Sequence, residues 1–345
     1  MEYGAIDLHA RYSQIRIIDA EGRVMRERRV VTSAERLVEA FSGGRPMRIL
    51  LETGTESEWV AQALEGAGHE VIVADPNYAP MYPERRRRVK TNRRDARTLA
   101  TACRLGAYRP AHRVSAEQRR VRQQLTVRDL LVRSRTRAIA MTGALVRAEG
   151  LRIRPGAPEQ FLVRLDELAL PPALHATLVA TRALMLTLDV EIRQADEAIR
   201  QIVLHDPVVA RLISAPGVGP VTAAAFVATL DRADRFAGAH HVESYLGLVP
   251  SEASSADSHR RGHITKAGNP RMRWLLVQAA WAVWHSRQPD AQPLRVWAQR
   301  IAHRRGQSVA IVALARRLAG ILFAMWRDET PFEAARLDRP ARTAR

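Results

Sequence analysis

Cysteine is almost absent from the 345 residues: Cys103 stands alone. One thiol excludes an intramolecular disulfide framework and cysteine-based zinc sites, fits a reducing cytoplasm, and reads as a small buried hydrophobe. Long apolar runs are lacking too. With no stretch of about 18 apolar residues, no signal peptide and no basic amphipathic anchor, the chain is read as cytoplasmic, without a membrane partner. Internal repeats and long low-complexity tracts are also missing. Acidic residues are in deficit: 36 Asp and Glu face 54 Lys and Arg, giving a net charge of +18 and a sequence pI near 11.3. That imbalance exceeds what solubility needs and points to a polyanion, and with membranes set aside nucleic acid leads. What is present suffices for two or three compact domains, because 46% hydrophobic residues can fill real cores.

Tyr3 to Leu8, Tyr12 to Asp19 and Gly22 to Arg29 read as a β-meander, with turns at Arg11 and Glu21-Gly22. Ser33 caps a helix through Phe41, Arg48 to Leu51 is a short strand, Glu58 to Ala67 a helix and Glu70 to Ala74 another strand. This order is that of the RNase H and RuvC-like folds, and many α/β domains share pieces of it. From Val114 the pattern turns helical. Leu125, Val132, Ile139 and Val146 stand seven apart beside Leu131, Ala138 and Leu145. After a break with Pro155, Pro158, Pro171 and Pro172, a second helix repeats the device with Leu178, Met185, Ile192 and Ile199 beside Leu188, Ala195 and Ile202. The pair forms either an antiparallel hairpin or an intermolecular coiled coil. A third region starts at Pro207 to Leu230, passes through a Gly- and Ser-rich loop, and returns to helix around Arg271 to His285 and Ser308 to Arg327. The tail beyond Asp328 reads as disordered.

Asp7 lies inside an apolar strand, where a carboxylate is costly to desolvate unless a cation compensates. Glu52 ends the strand Ile49-Leu50-Leu51, and Asp95 sits in Lys90-Thr91-Asn92-Arg93-Arg94-Asp95-Ala96. Three separated carboxylates can converge in an α/β fold and hold Mg²⁺, which takes oxygen ligands and leaves positions for phosphate and water. Taken singly, Asp7 is also readable as a turn cap and Glu52 as a helix-start residue. Arg85, Arg86, Arg87, Arg88, Lys90, Arg93, Arg94 and Arg97 crowd beside Asp95 and suit phosphate contact. In Pro216-Gly217-Val218-Gly219-Pro220, a helix-hairpin-helix-like turn, Gly217 and Gly219 allow backbone N–H groups to approach a phosphate. Ser251 to Ser258 then reads as a small flexible serine loop ahead of the basic, Gly-flanked segment Arg260-Arg261-Gly262-His263-Ile264-Thr265-Lys266. A serine hydroxyl can attack a phosphodiester when activated, and Arg260, Arg261 or Lys266 could stabilise the phosphoryl oxygens.

In this order Ile6-Asp7-Leu8-His9, Leu51-Glu52-Thr53-Gly54-Thr55, Lys90 to Ala96, Pro216-Gly217-Val218-Gly219, Leu246-Gly247-Leu248-Val249-Pro250, Ile264 to Asn269 and Leu275 to Ala279 resemble the DEDD insertion-sequence transposases, the IS-one-ten family of bridge-RNA-guided DNA recombinases. The resemblance covers nearly the whole chain. It implies an α/β RuvC-like (RNase H-type) N-terminal domain over residues 1–112, a long helical coiled-coil insertion over 113–205, a mainly α C-terminal serine transposase domain over 206–330 and a disordered tail over 331–345. The family's carboxylates fall on Asp7, Glu52 and Asp95, and its remaining acidic position falls on Asn92, a weaker ligand than a carboxylate. Asp75 is a candidate for the missing charge. The family's serine falls on Ser255, with Ser254 adjacent and Ala256 where glycine is usual. The resemblance further implies Mg²⁺, donor and target DNA, a structured bridge (guide) RNA whose loops pair with DNA, and a homo-oligomer, dimer or tetramer. A hydrolytic RuvC-like nuclease, a non-catalytic nucleic-acid binder and a site-specific invertase of the pilin-gene type stay open beside it.

Overall fold

The computed structural model describes residues 1–81, 92–255 and 258–335; for residue 92 and for residues 252–255 and 258–261 it describes the backbone alone. The chain divides into two compact units, Met1–Val114 and Ser115 onward.

In the first unit, β1 (Tyr3–Asp7), β2 (Tyr12–Ile18) and β3 (Val24–Val31) form the expected antiparallel meander, followed by α1 (Ala34–Phe41), β4 (Arg48–Glu52), α2 (Ser57–Gly66), β5 (Glu70–Ala74) and α3 (Asn92–Leu105). The strand order is β3-β2-β1-β4-β5, with β4 parallel to both β1 and β5. The third strand starts two residues later than its sequence suggests. Asp19 accepts hydrogen bonds from the backbone N–H groups of Glu21 (3.0 Å) and Arg23 (2.8 Å), and Gly22 takes φ +86°, so the turn absorbs those residues. Alternation divides the apolar residues between two faces. Ile6, Ile15, Ile49, Leu51 and Val73 pack with Leu37 and Phe41 of α1 and Val60 and Leu64 of α2. Ala5, Ile18, Leu50 and Ala74 pack with Leu99, Ala100, Ala102 and Cys103 of α3. Ser33 caps α1 by accepting from Arg36 N–H at 3.3 Å.

The second unit contains α4 (Ala116–Ala148), α5 (Phe161–Asp166), α6 (Pro172–His205), α7 (Pro207–Leu212), α8 (Pro220–Leu230), α9 (Ala239–Tyr245), β6 (Pro250–Ser255), β7 (Ser258–Ile264), α10 (Pro270–His285), α11 (Gln292–Arg305) and α12 (Gln307–Arg327). The long helices α4 and α6 pair within the chain. Arg128 bonds Asp196 and Arg135 bonds Asp189 (2.9 Å), so positions falling on one helix match positions rising on the other, an antiparallel hairpin. Ala138, Val146, Leu178, Met185, Leu188, Ile192 and Ile199 are buried, while Leu145 stays 36% exposed. Helix α5 closes the far end through Phe161 and Leu165 against Val146, Leu174 and Leu178. Helices α6 and α12 are long and apolar enough to cross a membrane by length and composition, and half of the α12 window is buried inside the fold. The helical body of the unit packs around α8, whose residues Thr222 to Leu230 are all buried. The disorder expected beyond Asp328 does not hold for the next residues: Thr330 N–H bonds the Met325 carbonyl (3.1 Å) and Phe332 N–H bonds Ser214 Oγ (2.9 Å). A mixed α/β sheet at the N-terminus and a helical C-terminal region are thus both present.

Candidate active site

Asp7 and Glu52 close neighbouring parallel strands. The pairing runs Ala5 with Leu50 and Ile6 with Leu51, so the next pair along is Asp7 with Glu52. Parity puts both carboxylate positions on the face of Ala5 and Leu50, which α3 covers. The direction of α3 follows from its far end. Cys103 Sγ lies 3.5 Å from the Arg48 carbonyl oxygen, and Arg104 donates to the Ala20 carbonyl (3.3 Å), so the C-terminus of α3 sits where β1 and β4 begin. Eight residues back along a helix is about 12 Å and four residues up a strand about 13 Å. Asp95, in the first turn of α3 and in phase with Leu99 and Cys103, stands toward the same end of this face, where the neighbouring Arg93 reaches Glu27 of β3. The three carboxylate positions thus lie toward one end of the same sheet face.

The Asp7 carboxylate accepts from His9 Nε2 at 3.2 Å. Among the described residues, no three His, Cys, Asp or Glu side chains are grouped closely enough to hold a metal ion. The donor types nevertheless suit Mg²⁺, being all carboxylate oxygen. Asp75 is otherwise engaged: it bonds Arg109 and accepts from Asn77 N–H (2.9 Å), and the Arg109 guanidinium holds its carboxyl below the usual carboxylate range. Of the basic run, Arg93, Arg94 and Arg97 are exposed on α3, with Arg93 3.3 Å from Glu27. Arg85, Arg86, Arg87, Arg88 and Lys90 lie outside the described residues, as does the Asn92 side chain.

The expected serine loop is a β-hairpin. Strands β6 and β7 pair antiparallel, with Ser254 opposite His259 and Ser255 opposite Ser258, so both candidate serines stand at the tip. The side chains of Ser254, Ser255, Arg260 and Arg261 lie outside the described residues. The root is fixed by backbone. Gly247 has φ +68°, and a Cβ there would stand 2.2 Å from the Ala267 carbonyl oxygen; Gly268 has φ +70°, and a Cβ there would stand 2.0 Å from that of Tyr245. Only glycine permits this approach. Thr265 N–H bonds the Val249 carbonyl (2.9 Å) and Lys266 N–H that of Gly247 (3.1 Å), with exposed Lys266 itself at φ +56°. Arg273 Nη1 donates to the carbonyls of Leu246 and Gly268 (3.2 Å each) and to that of Ala267, tying both sides of the root to α10. Gly247 and Gly268 lie within motifs read from the sequence and Arg273 does not, but the role of all three at the root was hidden there, because positive φ and carbonyl convergence leave no compositional trace.

The turn between α7 and α8 splits its two glycines. Gly217, at φ +75°, lies against α10, where a Cβ would meet the Ala279 carbonyl oxygen at 2.4 Å; nothing lies within 4 Å of a Cβ at Gly219, which precedes α8. Gly217 thus has a packing reason, and Gly219 keeps the open backbone expected of a phosphate contact.

Two sequence profiles match the chain: a DEDD IS110 transposase profile over residues 5–148 and one described as "Transposase IS116/IS110/IS902 family" over 209–294. Among relatives, a "Probable family 20 transposase" of Pseudomonas aeruginosa is 28% identical across 94% of this chain and 96% of its own length. The "Transposase for insertion sequence element IS1111A" of Coxiella burnetii is 26% identical across 94% and 90%. The "Putative transposase y4qE" of Sinorhizobium fredii is 30% identical across 80% and 74%. Asp7, Glu52 and Asp95 lie within the first profile and the serine hairpin within the second, and the chain belongs to the IS110/IS116 family of DEDD insertion-sequence transposases, enzymes that cleave and rejoin DNA.

Proposed function

We propose that this transposase cuts and rejoins DNA under guidance of a bridge RNA, with Mg²⁺ held by Asp7, Glu52 and Asp95 and with Ser255 as the nucleophile. Asn92 would be a weak fourth ligand. The observation that carries the reading is the placement of the three carboxylate positions toward one end of the sheet face that α3 covers. A RuvC-like (RNase H-type) first domain over 1–112, a coiled-coil insertion over 113–205 and a serine transposase domain over 206–330 complete it, acting in the cytoplasm as a dimer or tetramer. The cation would supply charge stabilisation at the scissile phosphate. Ser255 Oγ attacks phosphorus and loses its proton, the bond to the leaving strand's oxygen breaks, and that strand departs as a hydroxyl. The phosphoserine ester conserves the linkage, so attack by another strand's hydroxyl rejoins DNA without an external energy source. The glycine-bound root supports the tip against recoil, and the Arg85 to Arg97 run, Gly217, Gly219, Arg260, Arg261 and Lys266 bind nucleic acid backbone.

The family takes its name from carboxylates, which favours a second reading in which metal-activated water cleaves without an adduct. The discriminating experiment incubates the protein and its copurifying RNA with Mg²⁺ and a nicked suicide DNA substrate. A denaturation-resistant adduct mapping to Ser255, lost in Ser255→Ala while binding persists, is the expected result. Loss in Ser254→Ala alone moves the nucleophile by one residue, and cleavage with no adduct selects hydrolysis. Sequencing of the copurifying RNA tests the guide: a single structured species is expected, and heterogeneous RNA contradicts it.

A further inference from the structure

Helix α10 presents aromatic rings on the side where an amphipathic helix carries polar residues. Its buried face is Met272, Leu275, Leu276, Ala279, Ala280 and Val283. At 100° per residue, Arg271, Trp274, Gln278, Trp281 and His285 fall within about a quarter of the opposite circumference. Trp274 is 48% exposed, His285 and Gln278 are exposed as well, and Trp281 is half-buried, with one side against the core. The Arg271 guanidinium, bound to Asp129 at 2.6 Å, lies 4.2 Å over the Trp274 ring. One turn beyond Trp281, its ring and that of His285 lie nearly parallel, 13° apart with centroids at 5.7 Å. An exposed tryptophan backed by an arginine, followed by a parallel ring pair about 10 Å further along, is unusual for a merely solvated face.

We infer that this face of α10 is a base-stacking platform for single-stranded DNA, the unpaired segment flanking the cut. Bases stack on aromatic planes without sequence preference, and neighbouring guanidinium groups offset the phosphate charge. The occupant follows from charge and position. The chain carries +18, and Arg273, adjacent to Trp274, roots the serine hairpin on the same helix. The platform therefore runs along α10 away from the hairpin root that the same helix carries. The inference rests on the proposed DNA-cutting function but not on the identity of the nucleophile.

The test uses the full-length protein, with labelled oligothymidylate, oligouridylate and a random-sequence duplex of the same length as probes. Trp274→Ala and Trp274→Leu should each weaken oligothymidylate binding about tenfold, Trp274→Tyr should restore most of it, and duplex affinity should stay within about twofold. The salt dependence should not change, since no phosphate contact is removed. Leucine preserves apolar bulk, so a wild-type affinity in Trp274→Leu would overturn stacking in favour of an apolar partner surface. Equal weakening for oligothymidylate and duplex, or a loss confined to oligouridylate, would overturn it as well. The Ser255 adduct is scored separately in the same variants: adduct absent with the stacking effect present removes the serine reading and leaves the platform standing.

Discussion

The carboxylate corner of the first unit and the serine hairpin of the second are held by opposite means. Asp7 and Glu52 follow strand residues, Ala5, Ile6, Leu50 and Leu51, that are fully buried, so apolar alternation sets where they point. The hairpin is anchored differently. Its strands, PSEASS and SHRRGHI, are largely polar, with Ile264 packed on the core at the base, and its placement depends on Gly247, Gly268 and the Arg273 guanidinium at the root. A side chain at the corner can therefore be exchanged without moving the backbone, whereas the hairpin is vulnerable at positions that carry no chemistry.

The largest effect that sharpens this contrast is expected from Gly268→Ala. A methyl group 2.0 Å from the Tyr245 carbonyl oxygen at φ +70° must displace the root. Strain of about 1–3 kcal/mol and a shifted tip should reduce strand joining about a hundredfold. Joining at the wild-type rate would show that the root does not position the tip. Next is the combined Arg86→Gln, Arg87→Gln and Arg88→Gln variant, for which the slope of log affinity against log salt should fall by about 2–3, alike for unrelated sequences; an unchanged slope would remove this run from the phosphate contacts. The smallest effect concerns pH. Burial lowers the His69 pKa below its ordinary value, with its Nδ1 accepting from Met47 N–H at 3.4 Å. The unfolded chain then binds the proton more readily, so this contribution to stability is complete above about pH 6.5 and declines as pH falls through the lower folded value. In His69→Gln the acid-side fall in melting temperature should be shallower, and an identical pH profile would contradict the assignment.

The corner was largely legible in the sequence because burial on both faces leaves a strong signal: apolar runs broken by a single carboxylate at Asp7 and Glu52. Helix α3 was not. Its buried face is Ala96, Leu99, Ala100 and Cys103, mostly small residues that approach the sheet closely, and the arginines between them read as a charge run. The hairpin was missed for a related reason, since serine, alanine and glycine supply no alternation of apolar with polar side chains. Pairing of α4 with α6 was open between two geometries, and the matched pairs Arg128–Asp196 and Arg135–Asp189 decide it, at spacings visible only once the helices face each other. Aromatic residues on the outer face of α10 were hidden inside a segment whose overall composition is simply that of an apolar helix.

That Asp7, Glu52 and Asp95 act as one cation site is tested most directly by Mn²⁺ binding, followed by electron paramagnetic resonance on the full-length protein and its single variants. One Mn²⁺ per chain should bind in the wild type, and Asp7→Asn, Glu52→Gln and Asp95→Asn should each weaken it by at least about tenfold while the melting temperature is retained. Wild-type Mn²⁺ affinity in Asp95→Asn would contradict the shared cation site on which the account stands.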